Sequence, residues 1–213
     1  MNPRARKLHL LRRLPRRLVL TDYPADQRRL YLSFDDGPDP ECTPRILDLL
    51  AAHGARASFF LLGKQVERHP ELVRRMVEEG HLIGNHSYSH PTFTKIPLTE
   101  QLAEIERTDR LLAPFDGRAL HRFRPPSGAL PLNLLLRFAR TRRCIAYWSY
   151  DSMDYRRLPA AELAAGLRSA PPRAGDIILM HDDDMSTVHA LERLLPEWQA
   201  AGFSMAAMPE ETA

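Results

Sequence analysis

The sequence predicts an α/β fold of parallel βαβ units in a single domain, and three observations carry that prediction. Short apolar runs alternate with stretches of helical periodicity from residue 30 onward. Nearly every apolar run ends in polar side chains able to do chemistry, as parallel strands do when their carboxyl ends share one face. The 213 residues, 44% of them hydrophobic, suffice for one α/β domain with a substantial core and are short for two. Seven or so units could close as a distorted barrel or remain an open sheet, and the residues alone leave that choice open.

The elements follow in order. "LYLSF" (30–34) reads as a strand that Gly37 and Pro38 stop just after two adjacent carboxylates, Asp35 and Asp36. "TPRILDLLAAHG" (43–54) reads as a helix with Thr43 as N-cap, Pro44 in the first turn and Gly54 at the exit. Then come a strand in "ARASFFLLG" (55–63), a helix in "ERHPELVRRMVEEG" (67–80) and a strand in "HLIGN" (81–85). Later strands are expected in "LHRFRP", "CIAYWSY", "DIILMH" and "FSMAAM", and helices near 99–113, 132–141, 160–169 and 186–201.

The net charge of +3 is unevenly spread. Residues 1–19 hold seven basic side chains (Arg4, Arg6, Lys7, Arg12, Arg13, Arg16, Arg17) and no acid, which leaves 23 basic against 27 acidic residues elsewhere. Residues 1–25 are therefore set apart as a basic extension. It lacks the apolar core of about 7 to 15 residues that a signal peptide needs, and no run approaches roughly 18 apolar residues. A solvated or core-packing arm is the plainest reading, with loose attraction to anionic lipid second. Nucleic acid is not expected, because no aromatic residues are interleaved with the basic ones. Cys42 and Cys144 have neither disulfide-scaffold nor zinc-site spacing, which fits a reducing compartment. The expected location is cytoplasmic, with peripheral attachment at the inner membrane face as the variant the basic arm allows.

The chemistry concentrates at strand ends. In "GNHSYSHP", His86 and His90 would lie roughly 13 Å apart in an extended strand at about 3.3 Å per residue, so only a turn lets them share a metal. Gly84, Asn85, the serines and Pro91 make that turn credible, and a carboxylate from another strand end would complete an open His2Asp site. Asp35 and Asp36 repel each other, so each needs its own positive partner. A divalent metal could serve one and Arg124, in "FRPPSG", the other. His181 follows a buried run and could act as a general acid if Asp154 or Asp151 in "YDSMDY" held one ring nitrogen. Taken singly, each feature also has a plain structural reading as a turn or a satisfied histidine.

Taken together, "SFDDGP", "HSYSH", "RPPSG", "DSMDY" and "LMH" (179–181) resemble, in order, the five motifs of the polysaccharide deacetylases of the nodulation-type carbohydrate esterase family. The resemblance implies a distorted (β/α) barrel of about seven strands, a catalytic domain over 26–213, and metal-dependent removal of acetyl from an N-acetylated sugar. It implies Asp36, His86 and His90 as ligands of a divalent ion, zinc or alternatively cobalt. It makes Asp35 the general base with Arg124 holding it ionised, and His181 the general acid oriented by Asp154. Leu179 would line the acetyl pocket, the Ser127 N–H would face the oxyanion, and Tyr155 would border His181. The family usually has Tyr at position 127 and Trp at 155, so this chain departs from it in the groove wall. The expected partner is an acetylated saccharide, such as a cytoplasmic oligosaccharide or a lipid-linked sugar. A non-catalytic sugar-binding relative and a ferrous oxygenase with a His2Asp triad are the competing readings. The oxygenase explains neither Asp35 nor Arg124 nor His181.

Overall fold

A computed structural model describes residues 8–25 and 27–209. Its strands are β1 (Val19–Leu20), β2 (Arg29–Asp35), β3 (Ser58–Leu61), β4 (Leu82–Asn85), β5 (Ile145–Ala146), β6 (Tyr150–Asp151), β7 (Ile177–His181) and β8 (Ser204–Met205). The central order is β4-β3-β2-β7-β6, all parallel, with β8 beside the start of β2. Beyond β4, single parallel bridges from Asn85 to Phe123 and from Phe123 to Ile145 carry the sheet on to β5, which pairs with β1. The sheet thus curls into a distorted barrel.

Two expected strands shrink for physical reasons. "LHRFRP" supplies only the Phe123 bridge, since Pro125 and Pro126 bring no N–H to extend the ladder. "CIAYWSY" divides into β5 and β6 because its backbone changes partners, the Tyr147 N–H donating to Leu20 and the Ser149 N–H to Ile177. The helix expected over 67–80 is two, α3 (Gly63–Arg68) and α4 (Pro70–Glu78). Pro70 disfavours helical backbone at His69 and then opens the second helix.

Period-two alternation sorts β2. Leu30, Leu32 and Phe34 face outward into the main core with Ile46, Leu47 and Leu50 of α2 (Cys42–Ala52) and Leu191, Leu194 and Leu195 of α8 (Met185–Ala200). Burying a side chain of this kind contributes about 1.5–3 kcal/mol, so this layer anchors the central strand. Tyr31, Ser33 and Asp35 fall on the opposite face, as Ile177, Leu179 and His181 do on β7, which is in register with β2. Asp35 pairs with His181 across the two strands, so a carboxylate and an imidazole reach one end of the barrel together. A second core joins Ile105 of α5 (Leu98–Asp116) to Leu134 and Phe138 of α6 (Leu132–Thr141) around Phe93 and Phe123.

Within the stretch 1–25, the structure places Val19 and Leu20 in the sheet and packs Leu11, Leu14 and Leu18 against the second core. Arg4, Arg6 and Lys7 lie outside the described residues. Among the described residues no helix is long and apolar enough to cross a membrane.

Candidate active site

Asp36 directly follows β2 with φ +77°, a conformation that aspartate tolerates better than most residues. After β4, Ser87 (φ +70°) and His90 (φ +60°) fold the H-x3-H segment back on itself, as sharing an ion requires. One ligand atom each from Asp36, His86 and His90 lies within 4.8 Å of the others. Asp36 Oδ1 is 3.6 Å from His86 Nε2 and 3.7 Å from His90 Nε2. That oxygen is buried and has no hydrogen-bond partner among the described residues, a costly state that a cation would relieve. His86 is 2% exposed, and its Nδ1 donates to the Arg124 carbonyl at 2.7 Å, which turns the Nε2 lone pair toward Asp36. Burial pushes its pKa down to about 3, so it stays neutral as a ligand must. Two imidazoles and a carboxylate, with room for a fourth group, are a donor set that zinc accepts.

The second carboxylate is held apart. Arg124 is fully buried and donates to Asp35 Oδ1 at 2.7 Å, to Ser33 Oγ at 2.9 Å, and to the Ala146 and Tyr147 carbonyls at 3.3 and 3.1 Å. Its guanidinium lies 3.9 Å from the Phe60 ring centre. Burial raises the Asp35 pKa and Arg124 restrains the rise, leaving a carboxylate more basic than usual but still paired. At the end of β7, His181 Nδ1 lies 2.8 Å from Asp154 Oδ1. The other Asp154 oxygen accepts from the His181 N–H at 2.6 Å and from Thr187 Oγ1 at 3.0 Å. Asp151 instead accepts from the Met153 N–H, so Asp154 is the orienting carboxylate. Burial lowers the His181 pKa, but the hydrogen bond and charge of Asp154, with Asp35 and Asp36 behind it, lift it to about 10.

A cavity of about 150 Å³ brings Asp36, Asp154, Tyr155 and His181 together. Tyr155 stands on its rim, 56% exposed, its ring edge-on to His181 at 6.3 Å. Leu179 is buried two residues before His181, on the same side of β7. Ser127 is exposed, with φ +53° in the short turn Pro126–Gly128.

Asn85 and the serines make the turn the sequence suggests, while Glu104, Asp109, His121 and Arg143 support it without a signature in the sequence. Asn85 donates to Asp109 Oδ1 at 2.8 Å and accepts the Ser87 N–H at 2.9 Å, while Ser87 Oγ accepts the His90 N–H at 3.1 Å. Glu104 of α5 accepts from the Tyr88 and Ser89 N–H groups at 3.0 and 2.7 Å. Asp109 is itself clamped by Arg143 at 2.6 and 2.8 Å and lies 3.2 Å from His121 Nδ1. Burial would raise the Asp109 pKa, but His121, Arg143 and Asn85 overcome this and hold it below the usual carboxylate range. We expect Asp109→Ala to strand Arg143 and to cost roughly 3–5 kcal/mol in chemical denaturation. It should also slacken the turn that carries both histidines, weakening metal binding roughly tenfold in chelator competition.

Thr43 is not the N-cap of α2. Asp39 Oδ1 accepts the Glu41 and Cys42 N–H groups at 2.9 and 2.8 Å, and the Thr43 hydroxyl donates to Asp182 Oδ2 at 2.5 Å. Asp182 is buried against Gly37, where a Cβ would fall 2.1 Å from that same oxygen. Gly37 is therefore required by close approach, and not only as a strand stop.

The pattern of the polysaccharide deacetylase family matches residues 22–143. A peptidoglycan-N-acetylglucosamine deacetylase of Bacillus cereus is 35% identical over 192 residues, 87% of this chain and 69% of the relative. A chitooligosaccharide deacetylase of Rhizobium leguminosarum bv. trifolii is 33% identical over 216 residues, 92% of this chain and 100% of the relative. A crystal structure of a peptidoglycan N-acetylglucosamine deacetylase in complex with an N-hydroxybenzamide superposes with a TM-score of 0.84 at 33% identity, covering 91% of both chains.

Proposed function

Because the chain belongs to the polysaccharide deacetylase family, we propose that it hydrolyses the acetamide of N-acetylglucosamine units in an oligo- or polysaccharide, as a hydrolase of carbon–nitrogen bonds. The observation that carries the reading is the division of labour between adjacent carboxylates. Asp36 faces two imidazoles with an unsatisfied oxygen, while Asp35 is locked to Arg124.

Asp36, His86 and His90 would hold a divalent ion, zinc or alternatively cobalt. Such an ion supplies Lewis acidity, acidifying water and polarising an acyl oxygen. Asp35, kept ionised by Arg124, accepts the proton of the attacking water as that water adds to the acetyl carbon. The Ser127 N–H donates to the resulting oxyanion, a contribution of roughly 3 kcal/mol per donor in comparable sites. His181 then protonates the departing amine as the C–N bond breaks, with Asp154 fixing its tautomer. Leu179 faces the acetyl methyl and Tyr155 borders the sugar. Cys42 and Cys144 are buried thiols that share no disulfide, which supports a reducing, cytoplasmic setting.

The test is acetate release from chitooligosaccharides and from peptidoglycan fragments, before chelation, after it, and after zinc or cobalt is restored. Loss and recovery of acetate are expected. Release indifferent to chelation, or none from either glycan with metal present, would sink the reading. A second prediction separates the acid from the base. Activity needs protonated His181, so it falls as pH rises through the pKa of that residue. Asp154→Asn removes the main support for the charged ring and should move this basic limb about a unit or more toward lower pH. A pH–rate profile with an unmoved basic limb would take the acid role from His181.

A further inference from the structure

The short turn that presents the Ser127 N–H has little backbone of its own to hold it. Ser127 (φ +53°) and Gly128 (φ +63°) are successive residues in the left-handed region, and Ser127 lacks the freedom that glycine has there. Such a conformation persists only where the surroundings impose it. Within the turn the Gly128 N–H donates to the Pro125 carbonyl at 2.9 Å and the Ala129 N–H to the Pro126 carbonyl at 3.0 Å. Pro125 and Pro126 have no N–H to add.

Two residues from a distant part of the chain complete the hold. Tyr147 directly follows β5 and is buried, and its hydroxyl donates to the Gly128 carbonyl at 3.0 Å. The ring of Trp148 backs the same glycine so closely that a Cβ there would fall 2.9 Å from it. Tyr147 is itself fixed at both backbone groups. Its N–H donates to the Leu20 carbonyl at 2.7 Å, and its carbonyl accepts from Arg124 at 3.1 Å, the same guanidinium that holds Asp35. One residue thus touches the counter-charge of the base with its carbonyl and the oxyanion turn with its hydroxyl. Burial raises the pKa of the phenol, which keeps it a donor. A donor aimed before charge develops costs no reorganisation when the charge appears, and rigid elements aim more precisely than loops do.

We propose that Tyr147 is a positioning residue for the reaction, its hydroxyl fixing the Pro126–Gly128 turn so that the Ser127 N–H already faces the place where the oxyanion forms. This rests on the reading of the Ser127 N–H as the oxyanion donor.

The test is Tyr147→Phe, assayed as metal-loaded enzyme on chitooligosaccharides. The phenyl ring keeps the packing, and only the hydroxyl is lost. Removing an oxyanion donor outright costs roughly 10²–10³-fold in kcat, so one that remains but is no longer aimed should cost about five- to tenfold, with KM and metal content unchanged. Affinity for a methylphosphonamidate analogue of the substrate, whose tetrahedral phosphorus carries the anionic oxygen, should fall by the same factor. Nitrogen relaxation of Ser127 should show a more mobile N–H than in the wild type. Ser127 relaxation unchanged from wild type would mean that the hydroxyl does not hold the turn and would overturn the proposal, leaving the oxyanion role of Ser127 untouched. So would a rise in KM with kcat unaltered. A more mobile Ser127 with wild-type kcat, KM and analogue affinity would show instead that its N–H does not meet the oxyanion, and the reading beneath the proposal would fall.

Discussion

Replacing His86 with alanine should abolish bound metal and acetate release together, the largest effect expected from any single change in the site. His86 is buried, neutral and oriented by the Arg124 carbonyl, so its loss removes a preorganised ligand that solvent cannot replace in the same geometry. It also leaves Asp36 Oδ1 facing a single imidazole. We expect metal content after dialysis to fall below stoichiometric and turnover to drop by at least about three orders of magnitude. His90→Ala should follow the same course less completely, because His90 is half-exposed and water can approach its place. Stoichiometric metal in His86→Ala would remove it from the ligand set.

Asp35→Asn should separate metal from turnover. The amide keeps the shape of the side chain and does not disturb Asp36, so metal content should stay at the wild-type level. An amide cannot take a proton from water, and a positioned general base is typically worth about 10²–10⁴-fold. The substitution also leaves Arg124 buried without its counter-charge, so some loss of stability is expected alongside. The informative measurement is therefore kcat on metal-replete, folded enzyme. Wild-type turnover under those conditions would assign the base elsewhere.

What could be read from the chain depended on the range of the interaction involved. The helices at 132–141 and 160–169 fall on the residues expected, since Pro131 and Pro159 fix their starts locally. Strands β2, β4 and β7 were legible because each is a short apolar run with a polar end. Phe123, β5 and β6 fall within runs expected as strands, but their short extent and the division into two were not legible, because pairing depends on which distant backbone lies alongside. Asp36, His86 and His90 do converge, as do Asp35 with Arg124 and His181 with Asp154. The rule that parallel strand ends share one face made that convergence legible, and the five motifs in order assigned the partners within it. Asp109 and Glu104 shape the histidine turn through side chains that look, in sequence, like ordinary helix residues. Thr43 shows the limit most directly: its type and position invite a capping role, yet its hydroxyl serves a carboxylate 139 residues away.

The packing of Gly37 on Asp182 has a bearing on inheritance. Two codons 145 positions apart share one small volume, and neither can drift to a larger side chain unless the other yields. Anyone grafting the Asp-Asp-Gly-Pro segment onto another scaffold would have to carry that distant neighbour with it. A library randomised at 37 and 182 jointly should recover pairs that single-site libraries at either position never contain.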